Sequence, residues 1–239
     1  MGVQINDIDE NTFEMSQPFL TSRILNFLSL DADLTRGKTT PVGKPLLNKD
    51  LNGVPRKHKW HYRSAVGMLS YLTNSVRPEI QMAVHQCARF SVFPMRSHEL
   101  AIMRIGRYLV DNADKGIIYK VDRSKGLEVY VDADFAGAWT AADADNAENV
   151  LSRTGYVICY ANYPIVWYSK LQTEIALSTA EAEYIAMSQA LRAAMPLQSL
   201  TKEINCIFPL CNPDAEFCLT VHEDNQSTIA MANSSKFTP

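Results

Sequence analysis

The sequence lacks a long uncharged apolar run. Its most apolar stretch, residues 155–169, carries a proline and several polar groups, whereas a membrane-spanning helix needs roughly 20 mostly apolar residues. The amino terminus has no basic segment followed by an apolar stretch, so a secretory signal is not expected. We therefore expect an intracellular protein of the cytoplasm or the nucleus, with no membrane partner.

Cysteine is also scarce, with five residues in a chain of 239. An odd, widely spread set without a secretory signal indicates reduced thiols rather than a disulfide framework. Cys206, Cys211 and Cys218 precede His222, but their spacing matches no common zinc finger, which favours small buried side chains over a zinc site. The composition, 46% hydrophobic and 21% charged, is that of a folded protein of one or two domains.

The net charge of −3 conceals a division along the chain. Residues 1–126 contain 18 basic and 12 acidic side chains, a net charge of +6, whereas residues 127–239 contain 5 and 14, a net charge of −9. A basic half suggests a polyanionic partner such as nucleic acid, and clustered carboxylates in an acidic half suggest divalent cations. A chance imbalance between two solvated surfaces is the alternative.

The first half of the chain has mainly helical periodicity. Apolar spacing predicts one helix around residues 16–30 with Pro18 in its first turn, and three more within residues 62–110, the second of them starting at Pro78. Residues 35–60 are rich in Gly, Pro, Lys and Asn without an apolar period, which predicts a long basic loop or linker.

From Gly116 onward the pattern changes to strands. "GIIYKV" and "GLEVYVDADF" predict a hairpin, and two further strands are predicted around a turn at residues 162–164. A long helix follows, with a capping box formed by Ser178 and Glu181 and with Pro196 as a kink or an end. A strand ending near Asp224 leads into a last helix. This order predicts an α/β fold, a mixed sheet with packed helices.

Three acids stand at positions where open sheets place their sites. Asp132 is near the end of a strand, Glu183 is in the first turns of the long helix, and Asp224 closes a strand before a helix. If they converge, their repulsion raises at least one pKa, and Mg²⁺ or Mn²⁺ would relieve the conflict. Taken singly, a strand-end Asp can cap a turn and a first-turn Glu can interact with the helix dipole.

Several motifs carry a family resemblance. "VYVDADFAG", "STAEAEYIAMSQAL" and "HEDNQSTIA" resemble the ribonuclease H region of copia-type LTR retrotransposon polyproteins. Upstream, "YRSAVGMLSYLTNSVRPEIQMAVHQCARF" and "HELAIMRIGRYL" resemble the segment that joins the reverse transcriptase palm to that region. The resemblance implies a helical thumb- or connection-like region over residues 1–113 and a ribonuclease H-like α/β domain over residues 114–239.

The resemblance also assigns roles. It implies that Asp132, Glu183 and Asp224 are the catalytic carboxylates and the ligands of Mg²⁺ or Mn²⁺, with Asp134 and Glu181 as fallback assignments. The implied reaction is metal-dependent hydrolysis of RNA in an RNA–DNA hybrid. The implied partners are that hybrid or another nucleic acid, and the remainder of the polyprotein, including integrase and the polymerase palm.

Two departures from the family pattern shape the expected activity. The paired aspartates of the polymerase palm are not in this sequence, so no polymerase activity is expected. The family's "H-x-R-T-K-H-I" stretch and its fourth carboxylate would follow Pro239, so we expect a C-terminally truncated domain with impaired catalysis. The alternatives are a non-catalytic nucleic-acid-binding remnant and a product without a cooperative fold.

Overall fold

The computed structural model describes residues 2–30, 35–44, 46–120, 122, 124–141, 147–207 and 219–234. The chain divides into two compact units, Met1–Tyr119 and Lys120–Pro239. This division falls a few residues after the boundary predicted between residues 113 and 114. No helix in the described part of the chain combines the length and the apolar character needed to cross a membrane.

The first unit is mainly helical, with a small sheet. Its elements in chain order are β1 (Gln4–Asp9), β2 (Thr12–Ser16), α1 (Pro18–Phe27), α2 (Tyr62–Ser75), α3 (Gln81–Ala88), α4 (Arg96–Val110) and β3 (Ile117–Lys120), with a 3₁₀ turn over Pro78–Ile80.

Packing of the four helices explains their sequence periodicity. Each helix contributes side chains to one core, including the fully buried Ile24, Leu69, Leu72 and Ile105. Pro18 occupies the first turn of α1 as predicted, and Pro78 opens the 3₁₀ turn that leads into α3. The predicted helices are therefore confirmed, because their apolar spacing matches the face that each helix buries.

Two features of the first unit differ from the sequence-based expectation. The hairpin of β1 and β2 was not predicted, since residues 1–16 have little apolar alternation. The predicted hairpin of "GIIYKV" with "GLEVYVDADF" is wrong, because β3 joins β1 and β2 in the order β1-β2-β3. Gly116 permits this approach: a Cβ there would lie 2.2 Å from the carbonyl oxygen of Met15. Tyr119 then stacks on Phe13, with ring centroids 4.9 Å apart.

The second unit has a four-stranded mixed sheet. Its elements are β4 (Leu127–Asp134), a 3₁₀ turn (Ala147–Asn149), β5 (Arg153–Tyr160), β6 (Tyr163–Leu171), α5 (Thr179–Ile207), β7 (Leu219–His222) and α6 (Gln226–Asn233). The strand order is β6-β5-β4-β7, in which only the β4–β7 pair is parallel. The sheet and its packed helix agree with the ribonuclease H-like α/β class that the resemblance implies.

Helix α5 covers one face of this sheet. Val129 and Ile158 lie in the same buried cluster as Ala186 and Ala190, whose small side chains let the helix approach the strands closely. Half of the predicted capping box is present: the Ser178 hydroxyl accepts from the N–H of Glu181, whereas the Glu181 carboxylate accepts from the N–H of Leu177 instead of that of Ser178. The helix continues to Ile207 through its internal proline rather than ending there.

The β5–β6 turn is tighter than predicted. Tyr160 pairs with Tyr163, so the connection is the two residues Ala161 and Asn162, with φ angles of 52° and 69°. Positive φ at both central residues is the geometry of a type I′ hairpin turn. Pro164, which was assigned to the turn, lies in β6, where an edge strand tolerates its missing N–H.

Candidate metal centre

Three different elements carry the three predicted acids. Asp132 lies near the end of β4, Glu183 lies near the start of α5, and Asp224 follows β7 directly before α6. Because β4 and β7 are parallel, with Tyr130 paired to His222, both strands end at the same edge of the sheet. Asp132 and Asp224, each two residues beyond this pair, therefore lie at the same edge of the sheet.

The structure brings these three carboxyl groups together. One carboxylate oxygen from each of Asp132, Glu183 and Asp224 lies within 4.8 Å of the others. The two aspartates are exposed, whereas Glu183 is buried, with 7% of its surface accessible. The cluster thus has a solvent-facing side and a buried side, and its ligand atoms are all hard oxygens, which suit Mg²⁺ or Mn²⁺.

Glu183 experiences the strongest electrostatic conflict in the cluster. Burial, reinforced by the charges of Glu223, Asp132 and Asp224, raises its pKa to about 7, against a smaller lowering by the N–H of Ala133. Its Oε2 atom is buried without a hydrogen-bond partner. A buried oxygen without a donor, surrounded by like charges, is the situation that a bound cation would relieve.

Glu223 is a fourth acid of this region that the sequence reasoning did not single out. Its Oε1 accepts from the N–H of Asn225 at 3.0 Å, and its Oε2 is buried without a partner. Burial raises its pKa, as do the charges of Asp224 and Asp132. The signal was the pair of consecutive acids after His222. In a strand they would point to opposite faces, but β7 has already ended, so both can turn toward the cluster.

The fallback assignments have other contacts. The Glu181 carboxylate accepts from the backbone N–H of Leu177 at 2.7 Å, so it closes the turn before α5. Asp134 is the last residue of β4, and its carboxylate occupies the space that a Cβ at Gly137 would fill. Neither acid belongs to the cluster of three.

A cleft of about 460 Å³ opens beside the cluster. It is lined by Asp132, Glu223 and Asp224 and by two aromatic rings, Tyr130 and His222. These rings stack with centroids 4.4 Å apart and planes 8° from parallel. The cleft therefore combines acidic groups with a pair of stacked aromatic rings, here called the aromatic wall.

The zinc alternative falls largely outside the described residues. Cys206 is a free, exposed thiol, and Cys211 and Cys218 lie in the part of the chain that the structure does not describe. His222 contacts a ring and an acid instead: its Nε2 lies 3.5 Å from the Glu128 carboxylate.

Comparison with known proteins finds related sequences. "Retrovirus-related Pol polyprotein from transposon RE1" of Arabidopsis thaliana is 31% identical over 180 residues, which cover 75% of this chain and 12% of that protein. "Retrovirus-related Pol polyprotein from transposon TNT 1-94" of Nicotiana tabacum is 34% identical over 176 residues, covering 74% of the chain and 12% of that protein. The chain thus spans about one-eighth of the length of these polyproteins.

A shorter relative is covered almost completely. "Secreted RxLR effector protein 161" of Plasmopara viticola is 33% identical over 141 residues, which make up 59% of this chain and 94% of that protein. No protein-family profile matches the chain, and no solved structure matches it either.

Proposed function

The chain belongs to the copia-type retrotransposon Pol polyproteins, and we propose that its second unit is a ribonuclease H-type nuclease that hydrolyses the RNA strand of an RNA–DNA hybrid. The observation that carries the proposal is the approach of Asp132, Glu183 and Asp224 to within 4.8 Å at one edge of a mixed sheet. Hydrolysis of a phosphodiester by clustered carboxylates requires a divalent cation, since anions alone repel the substrate.

The side chains present fit such a cation. Its ligands would be Asp132, Glu183 and Asp224, whose oxygens are the donors that Mg²⁺ and Mn²⁺ prefer. A bound cation would also give a favourable contact to the Oε2 of Glu183, which is buried without a hydrogen-bond partner. When bound, the cation supplies the Lewis acidity that activates a phosphodiester and a nucleophilic water.

The chain's own groups orient the ligands. The backbone N–H of Ala133 donates to the Glu183 carboxylate, so a residue of β4 fixes the helix-borne acid against the strand-borne one. The N–H of Asn225 donates to Glu223, the neighbouring acid outside the ligand set. Such contacts keep ligands in place before substrate arrives, which lowers the cost of assembling the site.

Substrate recognition in this proposal uses the cleft. RNA differs from DNA at the 2′-hydroxyl, and proteins grip a hybrid mainly through its phosphates and sugars. The aromatic wall of Tyr130 and His222 lines the same cleft as Asp132 and Asp224. A sugar or a base can lie against that wall while the adjacent phosphate faces the acids.

The test is cleavage of a hybrid whose RNA strand carries a fluorescent label. We expect the purified chain to cut that strand with Mg²⁺ or Mn²⁺ and not with EDTA, and Asp132→Asn to slow cutting by at least ~100-fold. Asp134→Asn is the matched control, because Asp134 is an exposed acid of the same strand outside the cluster; it should keep wild-type activity. Equal cutting by wild type and Asp132→Asn would reject the proposal.

A second candidate function is nucleic-acid binding without catalysis. It is favoured by the net charge of +6 over residues 1–126. In the same experiment, this function predicts that the chain binds the hybrid but leaves it uncut with either cation. The affinity should fall steeply as the salt concentration rises.

A further inference from the structure

The long basic loop of the first unit is fastened along α4. The Arg104 guanidinium donates to the carbonyl and the hydroxyl oxygen of Thr40, at 3.1 and 2.7 Å. The N–H of Lys38 donates to the Arg107 carbonyl at 3.2 Å. Further along, Nε2 of the buried His98 lies 2.9 Å from the Asn48 carbonyl oxygen. The loop is therefore held against α4, where it forms a wall, and is not a free linker.

Between this wall and helices α3 and α4 lies a cavity of about 410 Å³, a size typical of small-molecule sites. Its apolar lining includes Val42, Leu47, Ala83, Ala101 and Met103. The cations at the cavity are Lys38, Lys44, Arg96, Arg104 and Arg107. Among the described residues, the lining includes no Asp or Glu.

Within the described part of the chain, only some of these cations pair with a carboxylate. Arg96 is paired with the buried Glu99 carboxylate. Arg104 donates to the neutral oxygens of Thr40, so it keeps its full charge while being held in one orientation. Lys44 and Arg107 are exposed at the rim. A concave, partly apolar site surrounded by positive charge concentrates anions.

We propose that this cavity binds a nucleotide, with its phosphate at the cations and its base against the apolar lining. A phosphate group alone would make no use of the apolar surface, and an aliphatic anion would make no use of the polar side chains of Gln86 and His58 in the same lining. A nucleoside monophosphate can contact the cations, the apolar surface and the polar side chains together. The ligand is a free nucleotide or one unit of a strand, since both present the same chemistry.

This site is independent of the proposed nuclease centre. Every residue that lines the cavity lies in Met1–Tyr119, whereas the acid cluster lies in Lys120–Pro239. Binding can therefore be measured in EDTA, where no divalent cation occupies the acid cluster. Failure of either proposal then leaves the other intact.

The experiment is isothermal titration calorimetry of the full chain in EDTA. The ligands are adenosine 5′-monophosphate, inorganic phosphate, adenosine and dodecyl phosphate. We expect the nucleotide to saturate one site with a Kd below ~1 mM and each of the other three to bind at least ~10-fold more weakly. Absence of saturation, or binding of phosphate or dodecyl phosphate as tight as that of the nucleotide, would overturn the proposal.

Two matched double variants distinguish binding at the cavity from nonspecific attraction by the positive charge of the loop. Lys38→Gln/Lys44→Gln removes two cations at the cavity and should weaken nucleotide binding by at least ~10-fold. Lys57→Gln/Lys59→Gln removes the same charge from exposed positions of the same loop that do not line the cavity, and should change the Kd less than ~2-fold. Equal weakening by both pairs would contradict a defined site.

A third variant tests the apolar lining without touching the core. Leu100 lines the cavity but is 51% exposed, so we expect Leu100→Gln to leave the fold unchanged. We expect it to weaken the nucleotide by ~3–10-fold and inorganic phosphate by less than ~2-fold; equal effects on both ligands would contradict base binding. Competition by a single-stranded oligonucleotide then identifies the unit of a strand as the ligand, and absence of competition identifies the free nucleotide.

Discussion

The ring of Tyr130 stacks on that of His222 across the parallel pair of strands β4 and β7, with centroids 4.4 Å apart. Asp132 follows Tyr130 by two residues and Asp224 follows His222 by two. The same strand pairing therefore positions an aromatic wall and two carboxylates next to each other. In the proposed function, this arrangement places the rings that would contact the substrate beside the acids that would hold the cation.

Substitution of the aromatic wall should affect substrate binding more than the chemical step. In the proposed nuclease, Tyr130→Ala should raise KM for the hybrid by ~5–30-fold with little change in kcat, because base or sugar stacking contributes about 1–2 kcal/mol. Tyr130→Phe keeps the ring and serves as the control, with KM near the wild-type value. A fall in kcat at constant KM would contradict this role.

Divalent cations should stabilise the chain through the three acids. Saturating Mg²⁺ or Mn²⁺ should raise Tm by about 3–8 °C, since a ligand that binds only the folded state shifts the unfolding equilibrium. The variant Asp132→Asn/Asp224→Asn should lose this rise, and Asp134→Asn should retain it. Thermal melts followed by circular dichroism, with and without EDTA, measure the difference. A rise of equal size in all three proteins would show binding elsewhere.

Glu183 should make stability fall as pH rises in the absence of a cation. Its pKa in the folded chain is about 7, above the ordinary carboxyl value, so between these two values the folded state binds more protons than the unfolded state. Unfolding free energy should therefore decrease from about pH 5 to pH 7.5, by an amount on the order of 1–3 kcal/mol. Urea titrations across this range, in EDTA, measure it.

The matched control for this dependence is Glu183→Gln, which cannot ionise. Its unfolding free energy should be flatter over the same range. Added Mg²⁺ should flatten the wild-type curve as well, because a bound cation favours the ionised carboxylate. Identical slopes for wild type and variant in EDTA would contradict the assignment.

Glu99 should be essential for the attachment of the basic loop. It is fully buried, accepts from the backbone N–H groups of Lys57 and His58, and pairs with Arg96. Burial alone would raise its pKa, but these donors hold the pKa below its ordinary value. Its stabilising effect is therefore present above the ordinary carboxyl range and lost as pH falls through the lowered value.

Glu99→Gln should lower the unfolding free energy by on the order of 2–4 kcal/mol, because it removes a charge that several buried donors require. It should also speed tryptic cleavage within residues 57–59. Glu10→Gln, at an exposed turn, is the control and should change stability by less than about 0.5 kcal/mol. Unchanged proteolysis in Glu99→Gln would show that other contacts hold the loop.

Local patterns were sufficient for most of the secondary structure. The helical spacing within residues 62–110 and the β-rich runs after Leu127 predicted elements that the structure contains. The expected approach of Asp132, Glu183 and Asp224 is observed; their roles as ligands and catalysts stay proposals. The helices and strands could be predicted because apolar periodicity reports which face of an element is buried; the approach of the acids was expected from their positions at element ends and from the family resemblance.

Strand pairing and loop attachment between residues distant in sequence could not be predicted from local patterns. The β-rich run "GIIYKV" predicted a strand but not its neighbour, and the structure pairs β3 with β2. The contribution of Glu223 depends on where β7 ends, and the cavity in the first unit depends on how Arg104 and Glu99 fasten a loop without periodicity.

The sequence by itself determined where helices and strands form and which acids stand at their ends, because propensity and burial pattern act over a few residues. Only the tertiary structure decided that β4 and β7 run in parallel, that four acids share one edge of the sheet, and that the basic loop encloses a cavity. The reason is physical: strand pairing and loop attachment gain their free energy from groups distant in sequence, and local preference does not encode that choice.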